Sequence, residues 1–303
     1  MKDRILLRKH PVARRWVLGV FLAMIAVLIY GVAVVPRQLD VVTHDIAIRD
    51  LPDSCTNAKI DFVSDIHTGS LNNGLDNLDR VIEKLIASDA PVVLLGGDYV
   101  ILSVLGGTYV RSDQLVPHLK RLTAVKPVYA VLGNHDWWKN GPNVAAHFRE
   151  AGITMVEDES RRIQMGSCPL WIVGISDLDE GRHDVSRAFS GVRSDGAPAI
   201  ALTHNPMLFT QIPPRAALTL AGHTHGGQIN LPVIGSPAFW FKHSQYSAYV
   251  NGLYSRPNGQ QLFVTPGIGT SILPVRLGVP PEISQIRLVR AIQRSDIKKP
   301  RHQ

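Results

Sequence analysis

From Trp16 to Val35 the chain runs through twenty residues without a charged side chain, about the length a helix needs to cross the hydrocarbon core of a bilayer. Such a run predicts a transmembrane helix over 16–35 rather than the core helix of a water-soluble fold. A cleaved signal peptide is the rival reading, because Gly31-Val32-Ala33 forms a small-x-small site and Arg14-Arg15 stands before the run. Residues 1–15 are then a basic N-terminal segment, and residues 36–58 a linker and lead-in. From Lys59 the pattern becomes short apolar runs alternating with helical periods. Lys59 to Val63 reads as a strand, Leu75, Leu78, Val81, Ile82, Leu85 and Ile86 recur as a helix face, and Pro91 to Leu95 reads as a second strand. A helical stretch around Leu115, Leu119 and Leu122 precedes a third strand, Val128 to Leu132. Alternating strand and helix implies parallel β-α-β units, whose polar residues at the C-terminal strand ends gather along one sheet edge.

The second half has another texture. Strands are expected over 162–165, 170–173, 199–203, 218–221, 228–231, 248–254, 261–264 and 283–289, with few helices between them. Two sheets packed face to face with helices outside would take both halves, giving one folded body over 59–289 and a basic tail over 290–303.

Charge excludes one class of function. The net +7 is concentrated at the ends: residues 1–16 hold six basic side chains against one acidic, and residues 290–303 hold five against one, which leaves −2 on residues 17–289. A nucleic-acid groove needs clustered Lys and Arg on the folded body, so no nucleic-acid partner is expected. The basic excess before the helix, against −2 over residues 36–55, places the N-terminus in the cytoplasm and the body on the outer side of the cytoplasmic membrane. The only cysteines, Cys55 and Cys168, lie far apart with no Cys-x-x-Cys pair, so neither a disulfide framework nor a Cys-rich zinc site is expected.

Five strand ends carry metal-ligand chemistry: Asp65-Ile66-His67, Gly97-Asp98, Gly133-Asn134-His135-Asp136, Thr203-His204-Asn205 and Gly222-His223-Thr224-His225. The donors are Asp65, His67, Asp98, Asn134, His204, His223 and His225, a nitrogen and oxygen set too large for one tetrahedral zinc. Two divalent ions sharing a bridging carboxylate would use it, and the ligand types suit Mn, Fe or Zn. His135 neighbours Asn134 yet is surplus to that set. An unperturbed histidine titrates near neutrality, which makes His135 the candidate general acid.

The order Asp-x-His, Gly-Asp, Gly-Asn-His-Asp, His and Gly-His-Thr-His resembles the calcineurin-like metallophosphoesterase superfamily. Within it, the chain is most similar to the bacterial membrane-anchored branch that includes phosphodiesterases and some UDP-diacylglucosamine pyrophosphohydrolases. The resemblance extends to Gly267-Ile268-Gly269-Thr270-Ser271 and Leu273-Pro274-Val275-Arg276. It implies a four-layer α/β/β/α sandwich, a first metal held by Asp65, His67, Asp98 and His225, and a second held by Asp98, Asn134, His204 and His223. It implies further that a metal-bridging hydroxide attacks a phosphodiester or pyrophosphate, the substrate being phosphorylated and lipid-linked or otherwise associated with the lipid bilayer.

Two features set the chain apart from the protein phosphatases of that superfamily. The second block reads Asp98-Tyr99-Val100 without the later Asp-Arg-Gly, and the third ends in Asp136. The carboxylate that supports the acid histidine is thereby lost, and Asp136 is the candidate replacement. The alternatives are a non-catalytic scaffold on the same fold, or a nuclease or phosphomonoesterase. Phe239-Trp240-Phe241 is expected either to form an apolar wall near the site or to cap the core. Trp137-Trp138 would flank the leaving group or simply pack, and His183 belongs to a polar loop.

Overall fold

The structure is a computed structural model and describes residues 11–102, 104–233, 235–236 and 248–291. Its first helix, α1 (Pro11–Ile29), continues through a π-helical turn at Tyr30–Val34 and a 3₁₀ turn at Val35–Arg37. Over Arg14–Arg37 it is long and apolar enough to cross a membrane and stays almost wholly uncovered by the rest of the chain.

Among the described residues, the remainder builds two six-stranded sheets. The first is ordered β1 (Asp40–Ile48), β12 (Glu282–Arg290), β2 (Lys59–Val63), β3 (Val93–Leu95), β4 (Val128–Ala130) and β5 (Thr154–Met155). The second is ordered β10 (Gly252–Ser255), β11 (Gln261–Val264), β9 (Ala216–Ala221), β8 (Ala199–Thr203), β7 (Cys168–Ile175) and β6 (Glu159–Met165). β2, β3, β4 and β5 run parallel, as do β7, β8, β9 and β11. Strands buried on both faces read as continuous apolar runs, and Val93–Leu95 and Ala199–Thr203 are buried throughout.

Three packed clusters make the layers. Ile60, Phe62, Leu94, Ile172, Leu202 and Leu220 belong to the cluster between the sheets. Outside the first sheet lie α2 (Leu75–Ala87), α3 (Ser112–Thr123) and α5 (Gly141–Glu150), the short α4 (Asn134–Trp138) following β4. In α2, Leu78, Val81, Ile82 and Leu85 recur at helical spacing and are buried, with Asp76 in the first turn and Lys84 in the last, as the helix dipole favours. Against the second sheet pack α6 (Val185–Ser190), through Ala188 and Phe189, and the 3₁₀ segment Pro206–Gln211, through Leu208 and Phe209. The result is the expected α/β/β/α sandwich.

Several expectations are revised. Asp40–Ile48 lies in the segment read as linker and lead-in, yet it pairs in parallel with β12 along its whole length. It is an edge strand with most of one face in solvent, so its sequence lacks the apolar run that marks the central strands. Residues 228–231 form isolated bridges rather than a strand, and the strand read over 248–254 narrows to Gly252–Ser255.

Cys55 and Cys168 are joined in a disulfide across a sequence separation of 113, with Cα atoms 4.5 Å apart. Sequence distance is a poor guide here, because the turn before β2 and the start of β7 face each other across the core between the sheets. Closing so long a loop restricts the unfolded chain, so Cys55→Ala with Cys168→Ala is expected to cost about 4 kcal/mol and to lower the unfolding midpoint by about 10 °C. Thermal unfolding of the detergent-solubilised chain measures it, and an unchanged midpoint would remove the disulfide from the fold's stability.

Candidate metal centre

The parallel strands bring all five motif blocks to one edge. Asp65 and His67 follow β2, Asp98 follows β3, Asn134 and His135 open α4 after β4, His204 follows β8, and His223 and His225 follow β9. Ligand atoms of Asp65, His67, Asp98 and His225 lie within 4.8 Å of one another, as do those of Asp98, His204 and His223. Asp98 is common to both groups. Its Oδ2 stands 3.2 Å from His67 Nε2 and 3.3 Å from His204 Nε2. Asn134 Oδ1 joins the second group at 3.2 Å from His204 Nε2 and 3.1 Å from His223 Nδ1.

The backbone is bent to deliver these side chains. Asp65, His67, Asp98, His223 and His225 all have left-handed φ angles, between 46° and 71°. Each such residue costs on the order of 1–3 kcal/mol and persists only where its surroundings hold it. Two glycines provide the space: a Cβ on Gly133 would meet Asp98 Oδ1 at 2.2 Å, and one on Gly222 would meet Asp65 Oδ2 at 2.3 Å. The loop after β3 is held by Asp136, whose carboxylate accepts from the backbone N–H groups of Asp98, Tyr99, Val100 and Gly133 at 2.8–3.3 Å. Asp136 therefore builds the loop that carries Asp98 and makes no bond to the His135 ring. Its four donors use the carboxylate fully, so it is not the replacement support for that histidine.

The chemistry of the donors fits divalent cations. His204 Nδ1 donates to Gly96 O at 2.8 Å and His225 Nδ1 to Gly269 O at 3.2 Å, which turns each Nε2 towards the cluster. Such outer hydrogen bonds set the tautomer of metal-ligating histidines. Both His67 ring nitrogens are buried and without a hydrogen-bond partner, a costly arrangement unless something other than protein takes them. Burial works to raise Asp98, but His204 and then His67 hold it well below the usual carboxylate range. Burial opposes protonation of His204, yet Asp98 beside it pushes it well up. His225 is driven well down by burial and by the neighbouring His67 and Arg276.

His135 sits at the side of the cluster. Its Nδ1 accepts from Leu102 N at 3.2 Å, and its Nε2 lies 4.0 Å from Asp98 Oδ2. The neutral ring is thus held with its proton on Nε2, facing the cluster. Burial pulls it down to about 4, with Asp98 acting against that pull. Beside it opens a cavity of about 610 Å³ lined by Leu102, Asn134, His135, Trp138, Asp179, His223, Thr224, His225 and Ile272, among others. Trp138 lies against His135 with the rings tilted by 52° and their centroids 4.8 Å apart, and remains 47% exposed. Trp137 instead packs against the core outside the first sheet. His183 is outside the cluster, and Phe239-Trp240-Phe241 lies outside the described residues.

Sequence reasoning missed the cavity wall: Leu102, Asp179 and Ile272 belong to no metal-ligand block, and Thr224 stands inside one without being a donor candidate. It also missed Arg276 as a support. That side chain is fully buried and donates to Pro266 O at 2.8 Å, Val279 O at 3.2 Å and Gly269 O at 2.6 Å. Gly269 O is also the acceptor of His225 Nδ1.

The family model for calcineurin-like phosphoesterases matches residues 58–227. Phosphodiesterase YaeI of Escherichia coli (strain K12) is 28% identical over 258 residues, covering 84% of this chain and 90% of that protein. The uncharacterized metallophosphoesterase YkuE of Bacillus subtilis (strain 168) is 28% identical over 261 residues, covering 84% and 86%. A transmembrane protein with metallophosphoesterase domain from Danio rerio is 27% identical over 286 residues, covering 87% of this chain and 60% of that protein.

Proposed function

This chain belongs to the calcineurin-like phosphoesterase family and is a metal-dependent phosphoester hydrolase; we propose that it cleaves a phosphodiester or pyrophosphate bond at a centre for two divalent ions. The observation that carries the reading is Asp98, shared by two groups of converging donors with His67 on one side and His204 on the other. Asp65, His67, Asp98 and His225 would hold one ion, and Asp98, Asn134, His204 and His223 the other. Mn, Fe or Zn suits such nitrogen and oxygen donors. Ions bound there supply Lewis-acid polarisation of the phosphoryl oxygens and a nucleophile available at neutral pH.

The chain's own groups do the rest. Water's oxygen forms the new bond to phosphorus, the ester bond breaks, and a proton ends on the leaving oxygen. His135 Nε2–H faces the cluster and would give its proton to that oxygen; the negative charge of a bound phosphoester would favour the protonated ring against the burial that pulls it down to about 4. In the neutral ring Leu102 N–H holds Nδ1. Trp138 and Ile272 line the cavity beside it. The name of the Escherichia coli relative supports a diester over a monoester.

Hydrolysis of bis(4-nitrophenyl) phosphate by the metal-loaded protein, abolished by chelation and restored by adding Mn²⁺, is the expected result. Turnover that survives complete removal of metal would end the reading.

We assign the folded body to the outer side of the cytoplasmic membrane, anchored by the helix over 16–35. Two independent supports agree: the basic flank before the helix, and the Cys55–Cys168 disulfide, a bond characteristic of oxidising compartments. External protease should remove the body from spheroplasts, and high-salt washing should leave it on membranes. Protection until lysis would reverse the orientation, and a soluble form starting near Val34 would mean a cleaved signal.

A further inference from the structure

The anchor is fastened to the rim of the cavity. Gly31 O accepts from Arg276 N at 2.9 Å, and a Cβ on Gly31 would meet Val275 Cγ2 at 3.1 Å and Arg276 O at 3.2 Å. Asn72 Nδ2 donates to Val32 O at 2.8 Å, and Gly31, Val35 and Pro36 are buried at the junction. The loop that receives the helix is the one whose Ser271 and Ile272 line the cavity. Its tip presents Ile272, 76% exposed, and Leu273, 51% exposed. A parallel bridge joins Ile272 to Val104, and Leu105 N donates to Ile272 O at 3.1 Å. The adjoining loop therefore adds Leu102, 43% exposed, and Leu105, 68% exposed. Four large apolar side chains stand uncovered on two bonded loops, next to the end of the membrane helix. Scattered exposed apolar residues are ordinary on a soluble surface, but a contiguous group at a cavity mouth marks an interaction site.

The length of the apolar run sets the depth of this lip. Trp16 to Val35 is twenty residues, about 30 Å of helix, which matches the hydrocarbon thickness. The domain already grips the helix at Gly31. If the bilayer ended at Tyr30, the run would fall about 7 Å short of that thickness. To fill the core the helix must sink until Gly31 to Val35 lie within it, and the loop bonded to Gly31 goes with them.

We propose that Leu102, Leu105, Ile272 and Leu273 enter the bilayer beside the anchor, so that the cavity opens at the headgroup layer and takes a phosphoester carried by a membrane lipid. The substrate class rests on the phosphodiesterase reading above; the insertion of the lip does not. The apolar chain of the substrate leaves the cavity along Leu102 and Ile272, while Asn134, His135 and His223 line its inner end.

The test uses the full chain in phosphatidylcholine vesicles containing a tenth phosphatidylglycerol. A nitrobenzoxadiazole dye is attached to cysteine introduced as Leu105→Cys or Leu273→Cys, with Glu150→Cys as the aqueous reference. Doxyl-labelled phosphatidylcholine should quench the dye at 105 and 273 and leave it bright at 150. Equal, weak quenching at all three sites would overturn the lip. The kinetic arm compares hexadecyl 4-nitrophenyl phosphate in the vesicles with dissolved methyl 4-nitrophenyl phosphate. Leu105→Gln with Leu273→Gln should lower turnover of the vesicle substrate about tenfold, since two apolar side chains leave the bilayer, and keep the methyl ester within about twofold. Loss on both substrates alike, or on neither, would overturn membrane delivery of the substrate. If the unaltered, metal-loaded protein hydrolysed neither ester, the phosphodiesterase reading and the substrate class would fall together, and quenching alone would decide the lip.

Discussion

An Asp98→Asn protein is expected to lose about 10³-fold or more in turnover of bis(4-nitrophenyl) phosphate, because the Lewis-acid contribution of a metal pair is worth several kcal/mol. The substitution keeps the size of the side chain and removes the one charge shared by both donor groups. Asp98 Oδ2 stands between His67 Nε2 and His204 Nε2, at 3.2 and 3.3 Å, and its Oδ1 accepts the backbone N–H of His135 at 2.9 Å. An amide presents at most one acceptor oxygen to these neighbours. Elemental analysis of the purified variant should show most of the metal gone, while its circular dichroism stays that of the folded protein. A variant that kept two ions per chain and near-normal hydrolysis would sink the shared role of Asp98.

For His135→Ala the expected result depends on the substrate. With a poor leaving group, such as an alkyl oxide, the rate should fall by about 10²–10⁴-fold, the range of general acid catalysis. An aryl oxide leaves without much help, so the loss on bis(4-nitrophenyl) phosphate should be far smaller. Metal content should not change, since the His135 ring hangs from Leu102 N and stands 4.0 Å from Asp98 Oδ2. The same loss on both substrates, or the loss of an ion, would turn His135 into a positioning residue or a ligand. Imidazole added to the medium should restore part of the alkyl-ester rate if the deficit is one of proton transfer.

Much of the site could be read before folding was considered. Asp65, His67, Asp98, Asn134, His204, His223 and His225 each follow an apolar run short enough to be a strand, and parallel strands end on a common edge. Local pattern therefore carried the list of converging donors, the alternation of β and α in the first half, and the apolar helix near the N-terminus. The periodicity of Leu78, Val81, Ile82 and Leu85 survives intact in α2, because one amphipathic face suffices to define a surface helix.

Other features depend on segments that meet only in the folded chain. In the sequence Asp136 is only a candidate replacement for the lost support of the acid histidine; in the structure its carboxylate turns instead to the N–H groups of Asp98, Tyr99 and Val100, which no sequence neighbour announces. Asp40–Ile48 became a strand by pairing with residues some 240 positions later. Cys55 and Cys168 meet because two sheets close on one another. The left-handed backbone at Asp65, His67, Asp98, His223 and His225 is held by packing; Asp and His adopt it more readily than most residues, but local sequence does not select these positions for it.

The division follows from the range of the forces involved. Hydrophobic period, strand-end chemistry and an uncharged run of membrane length are properties of ten to twenty consecutive residues, and they were legible in the chain. Which loop grips Gly31, how far Ile272 stands from solvent cover, and which carbonyl His225 bonds are set by contacts between residues far apart in sequence. Those contacts acquire their energy only when the sheets exclude water, so the shape of the cavity and its tie to the anchor belong to the folded state.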